Sequence, residues 1–258
     1  MQNYALLLGG SSGLGLATAH ELASQGMNLC IVHRDRRSRL SELEQEWERI
    51  RAKGVEVLSF NMDAIRADKR ADICAALDRQ MGDTGRLRVL VHSIAKGNLK
   101  PMLNEDGPTL GNDDFGLTLE AMATSLFDWV KDCHNRGLFM NPASVISFTS
   151  EGNKKAWRNY AAVSAAKAAL EAITRNIALE FAPFGIRANC IQAGTTNTPS
   201  LRMIPGHEYL IEHSLQRNPF GKLTQTEDVA KVVGLLVRDE ALWINGAVIP
   251  VDGGEHMR

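Results

Sequence analysis

Tyr160 and Lys167 are the two side chains in this sequence whose types and spacing most directly suggest catalysis. They begin a long run with helical periodicity, and their spacing corresponds to about two helical turns and ~10 Å of rise, so both side chains share one face. A phenol and an ammonium on one face can form a proton donor, because the positive charge favours the phenolate form of a phenol whose ordinary pKa is about 10. The alternative is a pair that merely lies on the exposed face of an amphipathic helix.

A glycine-rich segment near the amino terminus predicts a dinucleotide site. Residues 4–8 form an apolar run of buried-strand type, residues 9–15 are rich in glycine, and residues 16–23 have helical periodicity. Between a strand and a helix, glycines let the backbone turn tightly and approach a pyrophosphate, which then lies at the positive end of the helix. A flexible loop is the alternative, and the position of the segment argues against it.

The end of the second predicted strand, residues 27–32, indicates which nucleotide this turn would take. An acidic residue there suits a free ribose 2′-hydroxyl, whereas an arginine suits a 2′-phosphate. Arg34 comes first, with Arg36 and Arg37 behind it and Asp35 between. We therefore favour NADPH; Asp35 keeps NADH open, and a solvated basic turn is a third interpretation.

Alternating strands and helices predict one doubly wound parallel sheet of Rossmann-like α/β type. Seven strands are predicted at residues 4–8, 27–32, 55–60, 87–91, 145–148, 187–192 and 247–251, and the longer helices at about 41–53, 68–80, 118–136 and 160–181. Ligands of such sheets sit beyond the carboxyl ends of the strands. Those ends carry residues 9–15, Asp63, residues 92–96, Ser150 and residues 192–198.

Size, charge and cysteine spacing narrow the class of function. A chain of 258 residues fits a single domain over its whole length, and 29 basic against 30 acidic residues leave no footprint for nucleic acid or a membrane surface. The four cysteines lie far apart, so we expect reduced thiols and no metal. With no leader and no apolar run near ~20 residues, a cytoplasmic protein with a small-molecule substrate is expected.

Two segments, residues 96–116 and 195–219, are interpreted as loops because glycine and proline recur in them. Both follow strand carboxyl ends, where ligands of parallel sheets bind. We expect the second segment to cover a substrate, with an ordinary surface excursion as the alternative.

The glycine turn, Asp63 and the closing residues 251–254 together resemble the short-chain dehydrogenase/reductase family, from end to end of the chain. The family pattern TGxxxGxG is met from Leu8 to Gly15, with leucine in place of threonine, so the turn must be held by other contacts. The family's commonest active site has a serine, then a tyrosine thirteen residues later, in a YxxxK motif.

The active-site motif departs from this pattern at the tyrosine. Four residues before Lys167 stands Val163, which has no ionisable group, while Ser150 fills the serine position thirteen residues earlier. The acid has moved to Tyr160, and an ungapped count places Met122 where the family often has asparagine. The resemblance implies that Ser150, Tyr160 and Lys167 are the catalytic residues.

Further departures are similar to the branch that contains the bacterial enoyl-acyl-carrier-protein reductases. Residues 92–95 (HSIA) replace the family's NNAG, residues 193–198 (AGTTNT) replace its Pro-Gly, and the tyrosine–lysine spacing is Y-x6-K. Many members of that branch have a second tyrosine where this chain has Ser150. The resemblance implies a cofactor site made of Gly9, Ser11, Ser12, Gly13, Leu14, Gly15, Arg34, Asp63, Ser93, Ile94, Ala95, Lys167, Gly194, Thr196 and Thr198; His92 is interpreted as a structural histidine.

A displaced tyrosine suits reduction of a conjugated double bond. In ketone reduction the proton goes to the oxygen beside the carbon that takes the hydride, whereas in an enoyl thioester the charge develops two carbons further along. If Tyr160 is helical, three positions toward the amino terminus move the phenol about 4–5 Å along the helix axis.

We therefore expect an NADPH-dependent enoyl thioester reductase, whose acyl substrate is a small molecule or is bound to a carrier protein. A carbonyl or hydroxyl oxidoreductase is the alternative, and an NADP-binding sensor or scaffold without turnover is a third. The resemblance also implies a homotetramer or homodimer formed through the helices at about 118–136 and 160–181, where several alanines allow close packing.

Overall fold

The computed structural model describes residues 1–258 and is organised around a single seven-stranded sheet. The strands are β1 (Gln2–Leu8), β2 (Asn28–His33), β3 (Val57–Asn61), β4 (Gly85–His92), β5 (Phe139–Thr149), β6 (Ile186–Ala193) and β7 (Val248–Val251). They pair in the order β3-β2-β1-β4-β5-β6-β7, and every pair is parallel. The predicted doubly wound α/β fold and all seven predicted strands are confirmed.

Helices cover both faces of this sheet. They are α1 (Gly13–Ser24), α2 (Leu40–Arg51), α3 (Ala67–Met81), α4 (Asn112–Leu119), α5 (Ser125–Asn135), α6 (Ala161–Glu180), α7 (Pro199–Arg202), α8 (His207–Arg217) and α9 (Thr226–Leu236). None of them is both long enough and apolar enough to span a bilayer.

Strand β1 shows why the sheet is buried on both sides. Its side chains alternate between two apolar cores: Leu6 and Leu8 lie in one, Ala5 and Leu7 in the other, and all four are fully buried. A continuous apolar run of this kind is typical of a central parallel strand. Because β1 is central, the residues that follow Leu8 emerge in the middle of the sheet's carboxyl edge, where ligands bind.

The predicted loop at residues 195–219 is only partly a loop, because it contains α7 and α8. Pro199 occupies the first turn of α7 behind the capping Thr198, and Gly206, with φ +78°, immediately precedes α8. Proline and glycine mark helix ends here instead of irregular chain. Similarly, the predicted helix at about 118–136 consists of the end of α4, a π-helical turn at Glu120–Thr124 and α5.

Candidate active site

A cleft of about 690 Å³ opens at the carboxyl edge of the sheet. It is lined by every residue that the sequence predicted for catalysis or cofactor binding except Gly15: Gly9, Ser11, Ser12, Gly13, Leu14, Arg34, Asp63, Ser93, Ile94, Ala95, Ser150, Tyr160, Lys167, Gly194, Thr196 and Thr198. Gly15 lies beneath the turn, where a β-carbon would come 2.1 Å from the carbonyl oxygen of Gly9. Only glycine therefore fits at position 15, inside the turn.

The glycine turn has the form of a phosphate cradle. Gly9 has φ +86°, and a β-carbon on it would lie 2.5 Å from the carbonyl oxygen of Ser93. Ser12 precedes α1 without capping it through its side chain, and no acidic residue occupies the first turn. The amides at this helix start are therefore free to meet an anion, as a pyrophosphate requires. Without the family's threonine, the turn is held by the Gly9 amide, which donates to the Val32 carbonyl at 2.8 Å.

Positive charge surrounds one carboxylate where the ribose of the adenosine would lie. Nη1 of Arg34 donates to Oδ2 of Asp63 at 3.0 Å, and Nζ of Lys96 lies 3.9 Å from the same oxygen. The other oxygen of Asp63 accepts the amide of Ile65 at 3.1 Å. Two cations therefore share one anion, and the side chain of Arg34 remains 59% exposed toward the cleft.

Asp35 is bound within its own turn and does not line the cleft. One carboxylate oxygen lies 2.9 Å from Nδ1 of His33, and the other accepts from Arg39 at 2.5 Å. Its backbone exchanges two hydrogen bonds with Asn61, at 2.9 and 3.0 Å. The Asp35 carboxylate, which made NADH an alternative in the sequence, therefore already has a partner at each oxygen. The other imidazole nitrogen of His33 lies 3.1 Å from the hydroxyl of Ser59.

Tyr160 stands at the amino terminus of α6 as its capping residue, with φ −113° and ψ 2°, so the expectation that it lies within the helix is wrong. The reason is Asn159, whose φ of +63° turns the chain sharply just before the helix. The half-buried phenol lies with its oxygen 3.4 Å from the Ser150 hydroxyl. Gly152 packs on the ring, since a β-carbon there would lie 2.6 Å from Cε1 of Tyr160.

Burial decides the protonation of the phenol. It raises the pKa of Tyr160 above the ordinary value, and the hydrogen bond from Ser150 opposes this only in part. The prediction that Lys167 drives the phenol toward phenolate therefore does not hold in this structure. Instead, Tyr160 holds its proton at neutral pH, which a proton donor needs.

Lys167 is buried on α6 and bonded to the backbone of the neighbouring strand. Its Nζ donates to the carbonyl of Phe148 at 2.7 Å, near the end of β5. Burial lowers the pKa of Lys167 to about 8, against the opposing effects of Cys190 and Glu171. The ammonium form therefore still dominates at neutral pH, and it reaches the cleft.

The position of the family's usual tyrosine is filled by apolar side chains. Val163 packs in a small cluster with Met122, and a β-carbon on Gly97 would lie 2.7 Å from Cγ2 of Val163 and 2.9 Å from Cγ2 of Thr118. Thr118 holds the loop in place, because its hydroxyl accepts the amide of Asn98 at 3.1 Å. A larger residue at position 163 would therefore meet the backbone of the 97–98 segment.

Two threonines at the end of β6 already have partners within the chain. The hydroxyl of Thr196 donates to the carbonyl of Gly194 at 2.9 Å, and that of Thr198 accepts the amide of Leu201 at 3.3 Å. Thr198 also faces the glycine turn, since a β-carbon on Gly13 would lie 3.3 Å from its Cγ2. Contact of these residues with a nicotinamide or phosphate stays a prediction.

His92 is structural. It is 1% exposed, and its Nε2 lies 2.8 Å from the hydroxyl of Ser125, which donates its own proton to the carbonyl of Ala121. Nε2 of His92 therefore carries a hydrogen. Burial, with the nearby charge of Lys167, lowers the pKa of His92 to about 3, so the ring is neutral.

Sequence reasoning missed Gly97 and Gly152, which shape the surroundings of Tyr160 and Val163. The only available signal was glycine beside a predicted strand end. It also missed the apolar wall of the cleft, which is formed by Leu99, Met122, Trp157, Met203, Ile204 and Leu210. Three of these lie in the 195–219 segment, so α7 and α8 border the cleft.

Comparison with known proteins covers almost the whole chain. A family model described as enoyl-(acyl carrier protein) reductase matches residues 9–256. A tropinone reductase homologue from Arabidopsis thaliana is 28% identical over 250 residues, which span 97% of this chain and 89% of the relative. The cis-4-hydroxycyclohexanecarboxylate dehydrogenase of Sinomonas cyclohexanicum is 27% identical and spans 98% and 96%. Among solved structures, the enoyl-[acyl-carrier-protein] reductase (NADH) of Aquifex aeolicus VF5 superimposes with a TM-score of 0.84 at 25% identity, covering 99% of this chain and 97% of that one.

Proposed function

Because this chain belongs to the short-chain dehydrogenase/reductase family of oxidoreductases, we propose that it is an NADPH-dependent reductase of the 2,3-double bond of an enoyl thioester. The family that the glycine turn and closing segment indicated is confirmed by the family model. The enoyl specificity is our inference from the site.

The observation that carries this proposal is the position of the phenol. An apolar side chain occupies position 163, and the acid is at position 160. Val163 stands where a ketone-reducing member would hold its tyrosine, and Gly97 closes the space above it. Tyr160, at the helix amino terminus, is the phenol that lines the cleft. A donor displaced from the hydride position suits an oxyanion that develops two carbons beyond the reduced carbon.

The residues around Tyr160 would act on a proton and an oxyanion. A bound nicotinamide supplies the hydride. Tyr160 keeps its proton on Oη because burial raises its pKa, and it would donate a hydrogen bond or the proton itself to the thioester oxygen as charge develops there. A proton must then reach the α-carbon to complete the saturated thioester, and a proton from solvent would restore the phenol wherever Tyr160 has given its own away. Ser150, 3.4 Å away, orients the phenol, and the Lys167 ammonium holds the ribose hydroxyls of the nucleotide, as the family resemblance implies.

NADPH is proposed over NADH because of the charges at the ends of β2, β3 and β4. Arg34 and Lys96 place two cations around the carboxylate of Asp63. A bound 2′-phosphate would replace that carboxylate as the partner of the Arg34 guanidinium. Both oxygens of Asp35 already have a partner, and Asp35 does not line the cleft. The similar enzyme from Aquifex aeolicus is named for NADH, so the preference needs a direct measurement.

The apolar wall formed by Leu99, Trp157, Met203, Ile204 and Leu210 supports an acyl chain as the substrate's body. We propose that α7 and α8, within residues 195–219, cover this chain. The coenzyme A or carrier protein to which the thioester is attached would then lie at the mouth of the cleft.

Ketone reduction is the second candidate, and the relatives favour it. Similar sequences are named tropinone reductase homologues, levodione reductase and L-xylulose reductase, which are named for carbonyl compounds. Ser150, in the place of the second tyrosine that many enoyl reductases have, is compatible with this activity.

Parallel assays with a 2-enoyl thioester and a 3-ketoacyl thioester test the proposal, each with NADPH and with NADH. We expect NADPH oxidation with the enoyl compound. Oxidation with the ketoacyl compound alone would overturn the enoyl assignment, and no turnover with either would favour a nucleotide-binding sensor or scaffold.

We also propose a homotetramer or homodimer located in the cytoplasm. Exposed apolar side chains support association, among them Trp243, Leu179 and Phe184. The four cysteines are free and buried, which suits a reducing compartment.

A further inference from the structure

Arg217, the last residue of α8, joins separate segments beside the active site. Its Nη2 lies 2.7 and 2.8 Å from the two carboxylate oxygens of Glu151 and 3.0 Å from the backbone oxygen of Glu255, so its two hydrogens are shared among three acceptors. The side chains of Arg217 and Glu255 are only 11% and 3% exposed. Neither Arg217 nor Glu255 lines the cleft, so both would act on the site through the residues that they contact.

Glu255 carries the network to the end of β6. One of its carboxylate oxygens accepts the hydroxyl of Thr195 at 3.0 Å, and the other accepts the Thr195 amide at 3.3 Å. The hydroxyl of Ser214, on α8, donates to the Thr195 hydroxyl at 2.6 Å. Thr195 lines the cleft, so the chain's last residues hold one of its walls.

Glu151 carries the network to Tyr160. It lies between Ser150, whose hydroxyl faces the phenol, and Gly152, whose backbone packs on the phenol ring. The contact of both carboxylate oxygens with one nitrogen of Arg217, and a second ion pair with Lys155 at 2.9 Å, hold Glu151 in one place. Holding Glu151 therefore holds both of its neighbours against Tyr160.

We propose that Arg217 and Glu255 are positioning residues of the reductase, and that the segment carrying Glu255 is part of the support of its active site. The proposal rests on the proposed function in one respect, namely that Ser150 and Tyr160 act in turnover. A buried carboxylate and guanidinium suit this role because loss of either one leaves the other charge buried without its partner.

Glu255→Gln tests the proposal, because the amide keeps the size of the side chain and loses its charge. We expect kcat to fall about 10- to 100-fold, as when reacting groups are displaced by about 1 Å, with the KM for the thioester and the Kd for NADPH changed less than about threefold. Hydrogen–deuterium exchange should become faster in peptides covering residues 149–158 and 193–198. Arg217→Lys, which keeps the charge but replaces the planar guanidinium with a single ammonium on a differently shaped side chain, should give the same pattern more weakly.

Asp239→Asn is the control for loss of one carboxylate that pairs with a buried arginine; the Asp239 side chain itself is 79% exposed. The substitution breaks another ion pair between a carboxylate and a buried arginine, Arg88, at 2.6 Å, near the amino end of β4 and away from the cleft. It should leave kcat and the exchange of both segments unchanged.

Two outcomes would overturn the proposal: a folded Glu255→Gln protein with the wild-type kcat and exchange, or an exchange increase spread over the whole chain as in simple destabilisation. If Glu255→Gln does not fold, the same readouts on Arg217→Lys decide. The exchange comparison needs no substrate, so it stands even if wild-type protein reduces neither thioester and the proposed function fails.

Discussion

The ring of Tyr160 rests on the backbone of Gly152: a β-carbon at that glycine would lie 2.6 Å from Cε1 and 3.1 Å from Cδ1 of the phenol. The contact leaves no room for a side chain at position 152. The strand end that carries Ser150 and the helix start that carries Tyr160 are thereby held at a fixed separation.

Gly152→Ala should displace the phenol and reduce catalysis. Since the new methyl group must push the ring away from Ser150, we expect kcat to fall about 10-fold or more with little change in the Kd for NADPH. Gly116→Ala is the control, because a β-carbon there meets nothing within 4 Å. Steady-state kinetics on both variants decide, and equal kcat values would show that the ring position does not matter.

Tyr160→Phe should remove the proton donor. The ring and its packing on Gly152 are preserved while the hydroxyl is lost, so folding should be retained and kcat/KM should fall about 10²- to 10⁴-fold. Thermal unfolding of the variant checks the first point. An unchanged kcat/KM would assign proton donation to another group.

Arg34→Ala should change the choice of nucleotide. Loss of the guanidinium removes a charged hydrogen bond to a 2′-phosphate, so the Kd for NADPH should rise about 10- to 100-fold while that for NADH changes little. Arg37→Ala serves as control, because Arg37 is exposed and does not line the cleft. Titration of both nucleotides by fluorescence or calorimetry measures the ratio, and equal losses for the two nucleotides contradict the assignment.

Nucleotide affinity should depend on pH through Lys167. The burial that lowers its pKa to about 8 means that the free protein carries the ammonium below that pH and the neutral amine above it. Because the ammonium is the stronger donor to ribose hydroxyls, the Kd for NADPH should rise as pH increases through about 8, by at most about tenfold per unit. Equal Kd values at pH 7 and pH 9 would remove Lys167 from nucleotide binding.

The fold could be predicted from the sequence because its determinants are local. Most strands contain an apolar run, and the glycine turn stands between β1 and α1. Helices α7 and α8 could not be predicted because proline and glycine occur both in loops and at helix ends. Here Pro199 and Gly206 stand at the starts of α7 and α8.

The finer geometry of the site could not be predicted because it depends on contacts between distant residues. Nothing local shows that Gly97 lies on Val163, or that Asp35 is bonded by His33 and Arg39 and therefore does not line the cleft. The protonation of Tyr160 was expected from the charge of Lys167, and the opposite direction follows from burial, which only the packed structure reveals.

The contact between Gly97 and Val163 ties together two positions that lie 66 residues apart in the chain. A tyrosine at position 163 would be accepted only after the 97–98 segment had withdrawn, and withdrawal alone would leave an empty space beside Met122. Each change is harmful without the other. Placing the family's common tyrosine at position 163 therefore requires a compensating change in the 97–98 segment.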